Sequence, residues 1–236
     1  MTFNSPEEKY AYVNEMFARI ARRYDVMNKI ITGGQDARWR KLVIQAANLP
    51  PAGGRLLDIA TGTGDIAFEA LRQHPYLALV VGGDFTLPMM LVGQRRARGR
   101  LVRWSGADAL RLPFPDQQFD AVTSGFLLRN VVDVRQALRE QARVCRPGGR
   151  VVALEIPRPA DHLLGRLFRL YFHYVTPAVG GLISGHREAY KYLPSSADVF
   201  LRPEELKGVM ESVGLKRVRY HMLMLHTVAL HIGEKG

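Results

Sequence analysis

The sequence predicts an α/β fold: a doubly wound, largely parallel, Rossmann-like sheet of seven strands that ends in an antiparallel hairpin. Three observations carry this expectation. Residues 56–65, LLDIATGTGD, run from an apolar strand straight into a glycine-rich loop. Strand-like and helix-like runs then alternate up to residue 156, as in a parallel sheet covered by helices on both faces. Lastly, 215–222 and 225–232 are two strand-like runs close enough to form a tight hairpin.

The N-terminal 50 residues read as a helical cap. Ser5-Pro6-Glu7-Glu8 is a helix start, with Ser5 as cap, Pro6 in the first turn and Glu8 completing a capping box. Tyr10, Val13, Phe17, Ile20 and Tyr24 follow at helical spacing and give one apolar face. Gly33-Gly34 interrupts it, and a second helix carrying Trp39, Leu42 and Val43 ends before Pro50-Pro51. The core, 51–160, has strands expected near 55–60, 77–84, 101–107, 119–125 and 149–156, with helices near 64–73, 87–97 and 133–144. Gly148-Gly149 is expected to form the turn into the fifth strand. From 161 to 176, Leu163, Leu164, Leu167, Phe168, Tyr171, Phe172 and Val175 fall on one helical face, and Arg166, Arg169 and His173 on the other. This aromatic face suits a substrate cover over 161–200, within which 180–196 reads as a Gly-containing segment. A helix near 203–213 and the hairpin complete a single domain spanning 1–236.

Composition narrows the class. The chain has 236 residues, 47% hydrophobic and 23% charged, which is globular rather than disordered. Its one cysteine, Cys145, allows no internal disulfide and suits a reducing compartment. The N-terminal segment lacks an apolar signal-peptide core, and no run of about 18 uncharged apolar residues exists, so a cytoplasmic protein without a membrane span is expected. The net charge of +11 favours polyanions, either nucleic acid or an anionic membrane surface, although an Arg-rich genome explains it equally. The cluster QRRARGR at 94–100 reads as a solvated helix end.

Gly62, Gly64 and Ala67 satisfy G-x-G-x-x-A, so a dinucleotide site must be weighed. Three acids favour S-adenosylmethionine instead. Asp58 sits within the strand end, where nicotinamide fingerprints have an apolar residue. Asp84 ends the second strand, where a carboxylate can accept from ribose hydroxyls. Asp108 ends the third, within reach of an adenine amino group. Each alone has a structural explanation as a brace, a turn residue or an Asx turn. Together they line one edge of the sheet. No Cys/His cluster has metal-ligand spacing.

These residues resemble class I methyltransferases, and more narrowly the ubiquinone/menaquinone-biosynthesis C-methyltransferase family. FARIARRYDVMNKIITGGQDARWRK (17–41), the glycine loop, GFLLRNVVD (125–133), VCRPGGRVVALEIPRP, EAYKYLPSS and TVALHIGEK carry the resemblance over nearly the whole chain. Leu-Arg-Asn and Tyr-Lys-Tyr-Leu-Pro are the specific blocks. Leu127 stands where many relatives have glycine, and Gly125 where some have serine. The resemblance implies methyl transfer from S-adenosylmethionine to a ring carbon of a prenylated quinol, foremost demethylmenaquinol, with a ubiquinone-pathway benzoquinol as the alternative. It implies a cofactor site of Asp58, Gly62, Thr63, Gly64, Asp84, Asp108, Ala109 and Gly125, and a catalytic set of Arg129, Asn130 and Tyr24. A guanidinium stays protonated, so Arg129 suits stabilisation of a phenolate better than proton abstraction; its structural alternative is an ion pair with Asp133. Tyr24, Asp25, His173, His186 and Tyr192 remain open as the base. A prenyl tail would give the aromatic cover, the N-terminal helix and the Arg residues a purpose at an anionic membrane. A homodimer fits as well. An RNA methyltransferase, a non-catalytic S-adenosylmethionine-binding subunit and a nicotinamide oxidoreductase are the competing readings; none of the expected RNA-stacking surface is present.

Overall fold

Strand β1 (Arg55–Ile59) lies in the interior of the sheet, and its residues from Leu56 on are buried, as a parallel strand covered on both faces requires. In the computed structural model, which describes residues 3, 5–159, 163–184 and 187–236, seven strands form one sheet in the order β3-β2-β1-β4-β5-β7-β6. β2 (Leu79–Asp84), β3 (Arg103–Gly106), β4 (Phe119–Gly125) and β5 (Cys145–Glu155) run parallel to β1; β6 (Leu215–Leu223) and β7 (Val228–Lys235) form the antiparallel edge. Strand alternation divides the core. Leu57, Ile59, Val151 and Ala153 join one hydrophobic layer, and Leu56, Val152 and Leu154 the other. Helix α3 (Gln35–Ala47) and α4 (Asp65–Gln73) cover the second layer, and α6 (Val134–Val144) and α10 (Pro203–Ser212) the first.

Helix α1 (Pro6–Ile20) starts as its sequence dictates, with Ser5 Oγ accepting from the Glu8 N–H at 3.2 Å. Its apolar stripe does not run on to Tyr24. A 3₁₀ turn at Ala21–Arg23 ends it, and Tyr24 opens a new helix, α2 (Tyr24–Ile31). Helix α5 (Leu87–Gln94) stops three residues short of the expected end.

Two expectations need correction. β5 begins at Cys145 rather than 149: Phe119 pairs with Cys145 and Ala121 with Arg150, so Pro147-Gly148-Gly149 is an irregularity within the strand. A Cβ on Gly149 would lie 2.6 Å from the Asp120 carbonyl oxygen, which is why glycine stands there. The hairpin turn is longer than two residues. Leu223 pairs with Val228, and Met224, Leu225 and His226 all take positive φ (43°, 52° and 67°). No glycine advertises this conformation, so the sequence places the second strand three residues early. The described residues of the Gly-containing segment 180–196 are helical, 180–184 within α8 (Thr176–Ser184) and 187–196 within α9 (Arg187–Asp198). Gly180 is a packing position: a Cβ there would come within 2.3 Å of the Tyr190 ring.

The cover itself comprises α7 (Leu163–Leu170), a π-helical turn at Tyr171–Val175, and α8. Phe172 is buried, whereas Leu167, Tyr171 and Val175 are exposed, so the predicted apolar face is divided between interior and solvent. Residues 160–162, at the expected start of this helix, and the side chains of Leu163 and Leu164 lie outside what the structure describes. Met16, Ile20, Met27, Ala189, Tyr190 and Tyr192 form a third hydrophobic cluster that joins the N-terminal helices to the cover.

Candidate active site

The glycine loop leaves β1 at a sharp angle. Ala60, Gly62 and Gly64 have positive φ, and the Thr61 N–H donates to the Gly83 carbonyl at 3.1 Å. Gly64 also packs: a Cβ there would lie 2.7 Å from the Trp104 ring. Beneath the loop Asp58 is fully buried, accepting from Thr61 Oγ1 at 2.7 Å and Thr123 Oγ1 at 2.8 Å. Burial pushes its pKa up to about 7, against the opposing pull of the two threonine hydrogen bonds. Asp58 does not line a described cavity; it braces the loop, the structural alternative weighed for it above. Asp84 ties the loop to β2, with Oδ2 accepting from the Gly62 N–H and Oδ1 from the Thr86 N–H, both at 2.7 Å. Burial raises its pKa as well. Asp108 Oδ1 accepts from the Leu110 N–H at 2.9 Å, an Asx turn.

Asp84, Asp108, Gly62, Ala109 and Gly125 surround a cleft of about 870 Å³, partly open to solvent. Its far wall is α1. Tyr10, Val13 and Phe17, the stripe the sequence offered as a packing face, look into this cleft together with Asn14. The fit to S-adenosylmethionine rests on three features. Asp84 and Asp108 retain lone pairs toward the cleft for hydroxyl and amino donors. A side chain at Gly62 would crowd it, since the Cβ would lie 3.2 Å from Met89 Cε on the cleft wall, while Gly125 lets β4 pack 2.9 Å from Ile66 Cδ1 at its Cβ position. Asn14 Oδ1 is buried without a hydrogen-bond partner, an acceptor in want of a donor. Asn14 carried no sequence signal; it became visible once α1 was placed over the loop.

A second cavity, of about 730 Å³ with its open mouth included, lies alongside and is mostly apolar. Trp39, Phe126, Phe168, Tyr171 and Phe172 supply its aromatic walls, and Arg129 its buried cation. Tyr24 and Phe126 line both cavities. Between them, the segment after β4 sends Asn130 to the first and Arg129 to the second. Asn130 Nδ2 donates to the Phe126 carbonyl at 2.7 Å, and Tyr192 Oη donates to Asn130 Oδ1 at 3.1 Å. Arg129 Nη1 donates to the same Phe126 carbonyl at 3.1 Å, while its Nε is buried without a partner. The acid beside Arg129 is Glu155, 3.7 Å away, rather than Asp133, which caps α6 by accepting from the Gln136 N–H. Sequence reading missed Glu155, although it ends an apolar strand just as Asp84 does.

Of the candidate bases, Tyr24 reaches both cavities, and burial raises its pKa. Tyr192 is buried behind Asn130, with its pKa raised to about 12, chiefly by desolvation. His173 pairs with Asp198 at 2.8 Å in an outer groove beside Arg166, and His186 lies outside the described residues. Asp25 and Thr63 belong to a chain of polar contacts outside the first cleft. Thr63 Oγ1 donates to Asp25 Oδ1 at 2.6 Å, Arg96 bridges Asp25 and Asp65, and Arg40 bridges Asp65 and Asp36. Arg96, read as part of a solvated helix end, thus anchors the cofactor loop to α2. Among the described residues no His/Cys/Asp/Glu group has metal-binding geometry.

Comparison with known proteins agrees with this geometry. The sequence profile of the ubiE/COQ5 methyltransferase family matches residues 4–235. A demethylmenaquinone methyltransferase of Thermus thermophilus is 47% identical over 93% of this chain and all of its own length. A ubiquinone/menaquinone biosynthesis C-methyltransferase UbiE of Desulfotalea psychrophila is 44% identical over 94% of this chain and 90% of its own. Among solved structures, a SAM-dependent methyltransferase of Thermotoga maritima covers 94% of this chain and 99% of its own, with a TM-score of 0.62 at 19% identity, a likeness of fold. With the glycine loop, the strand-end acids and the Leu-Arg-Asn segment all in place, the chain belongs to the ubiE/COQ5 methyltransferase family.

Proposed function

We propose that this chain is an S-adenosylmethionine-dependent C-methyltransferase that acts on a prenylated quinol, foremost demethylmenaquinol. The observation that carries the reading is the pair of cavities meeting at Phe126–Asn130, one walled by acids and glycines, the other by aromatics around one buried cation. Asp84 and Asp108 would accept from ribose and adenine, and Asn14 from a further donor of the cofactor. When bound, S-adenosylmethionine supplies an electrophilic methyl group on a sulfonium.

The protein's own contribution is orientation, charge and dryness. Phe126 and Tyr24 form the shared wall and set the approach of the ring carbon toward the first cleft. Arg129, pre-placed with an unpartnered Nε, stabilises the ring oxygen as its proton leaves and negative charge develops. Asn130, held by Tyr192 and the Phe126 carbonyl, orients the hydroxyl from the other side. Tyr24, which lines both cavities, relays that proton in this reading. The aromatic walls keep water from the carbanion-like carbon.

The prenyl tail leaves by the side of the second cavity bounded by Ile31, Tyr171 and Met224. Next to these stand the exposed apolar residues Ile30, Leu167 and Leu225, two of them beside a cation in sequence, Lys29-Ile30 and Arg166-Leu167. That pairing suits an anionic bilayer surface, where the aliphatic groups enter and the cations meet phosphate. No helix among the described residues is long and apolar enough to cross a membrane.

Incubation with methyl-labelled S-adenosylmethionine and, separately, reduced demethylmenaquinone and a demethylated ubiquinone precursor tests the substrate. Label is expected in the first. Label in the second alone moves the assignment to the ubiquinone pathway, and label in neither overturns it.

A further inference from the structure

We infer that Glu155 is a positioning residue of this site: its carboxylate, set behind Arg129, holds the guanidinium toward the second cavity, and its ionisation sets how much of that positive charge a bound ring oxygen feels. The inference rests on the quinol reading above only in naming the ring oxygen as the ligand.

Glu155 is 1% exposed at the carboxyl end of β5 and lines neither cavity. Oε1 accepts from the Leu128 N–H, which fixes the carboxylate against the segment that carries Arg129. Oε2 is buried without a hydrogen-bond partner and stands 3.7 Å from Arg129 Nη1. The ion pair is therefore set up but left open. Arg129 spends its Nη1 hydrogen bond on the Phe126 carbonyl and keeps a buried Nε unpartnered. A closed bidentate pair would consume the guanidinium; the open one leaves it divided between an acid behind and a cavity in front. At such depth, two unit charges a few ångströms apart feel each other strongly.

The charged and titratable groups around the pair come from several elements. Lys9 of α1 donates to the Arg129 and Val131 carbonyls at 3.3 and 2.7 Å, adding a second cation. Tyr24 of α2 and Tyr192 of α9 face Arg129 and stay neutral, both pushed upward by burial. Burial raises Glu155 itself to about 7, with Arg129 opposing the shift. Above that pH the ionised carboxylate draws on Arg129; below it, Arg129 presents its full charge to the cavity.

A nitro-substituted naphthol that ionises near neutrality tests this without cofactor or turnover, because its phenolate is coloured. At pH 8, Glu155→Gln should bind the phenolate about tenfold more tightly than the wild type, the equivalent of one pKa unit. At pH 5.5 the two should bind alike, because Glu155 is then neutral in both. Arg129→Met should bind weakly at either pH, and the Arg129→Met/Glu155→Gln pair, which removes both charges of the ion pair, should match it. Equal affinities at both pH values, or a uniform loss in Glu155→Gln at both, overturn the inference, as does a wild type that does not bind the probe. Should Glu155→Gln fail to fold, the single and double Arg129 variants decide: the wild-type phenolate affinity must weaken through pH 7 beyond theirs. Failure of the quinol assay with this result intact removes the substrate reading and leaves Glu155 in its role; the reverse removes Glu155 alone.

Discussion

Arg129 and Asp58 show two opposite uses of a buried charge. On the reading proposed above, Arg129 keeps its buried Nε unpartnered for a transient anion. Replacing it with Met should lower kcat by about 10²–10³, the usual range for loss of one preorganised donor to developing charge, while calorimetry finds S-adenosylmethionine affinity nearly unchanged. Asp58 is structural, and its pKa of about 7 lies above the ordinary carboxylate value near 4. The folded state therefore prefers the protonated form. The stability this residue contributes is whole below about pH 4 and is lost as pH rises through 7. Asp58→Asn keeps an acceptor for one threonine and offers a donor to the other, so chemical denaturation across pH 5–8 should show a flatter profile than the wild type. Identical slopes would mean that Asp58 is ionised throughout.

At the scale of elements, glycine serves two purposes that sequence alone confuses. Gly64 was legible because its loop follows a strand, and it has both a positive φ and a crowded Cβ position. Gly64→Ala should cost about 1–2 kcal/mol for the left-handed backbone alone, with a further loss from contact with Trp104, read as a fall in melting temperature and weaker cofactor binding. Gly180, by contrast, lies inside a helix and is a contact between helices, its Cβ position filled by the Tyr190 ring. Gly180→Ala should destabilise by about 1–3 kcal/mol through overpacking against Tyr190, with cofactor affinity retained. The parallel core was readable because buried strands and capped helices repeat a local pattern. The hairpin register was not, because three left-handed residues without glycine leave no mark. The acids Asp84 and Asp108, proposed to hold the cofactor, stand at strand ends and could be found there. Asn14, Glu155 and the Asp25–Arg96–Asp65 chain depend on which helix lies over which loop, and tertiary packing alone decides that.

Over the whole molecule, the charge of +11 and the exposed apolar residues around the second cavity belong to one account if the protein collects its substrate from a bilayer. Co-sedimentation should show binding to phosphatidylglycerol vesicles, loss with phosphatidylcholine alone, and weakening at high salt. Leu225→Asp should reduce binding without altering methylation of a short-tailed quinol in detergent. Binding that is unchanged in the variant would place the contact elsewhere. The central claim is that a ring hydroxyl, ionising beside Arg129, makes its neighbouring carbon the methyl acceptor. Its most direct test is transfer of a labelled methyl group to reduced and to oxidised demethylmenaquinone under otherwise identical conditions. Label in the quinol alone is the predicted result; equal labelling of the oxidised quinone, which has no hydroxyl to ionise, would contradict it.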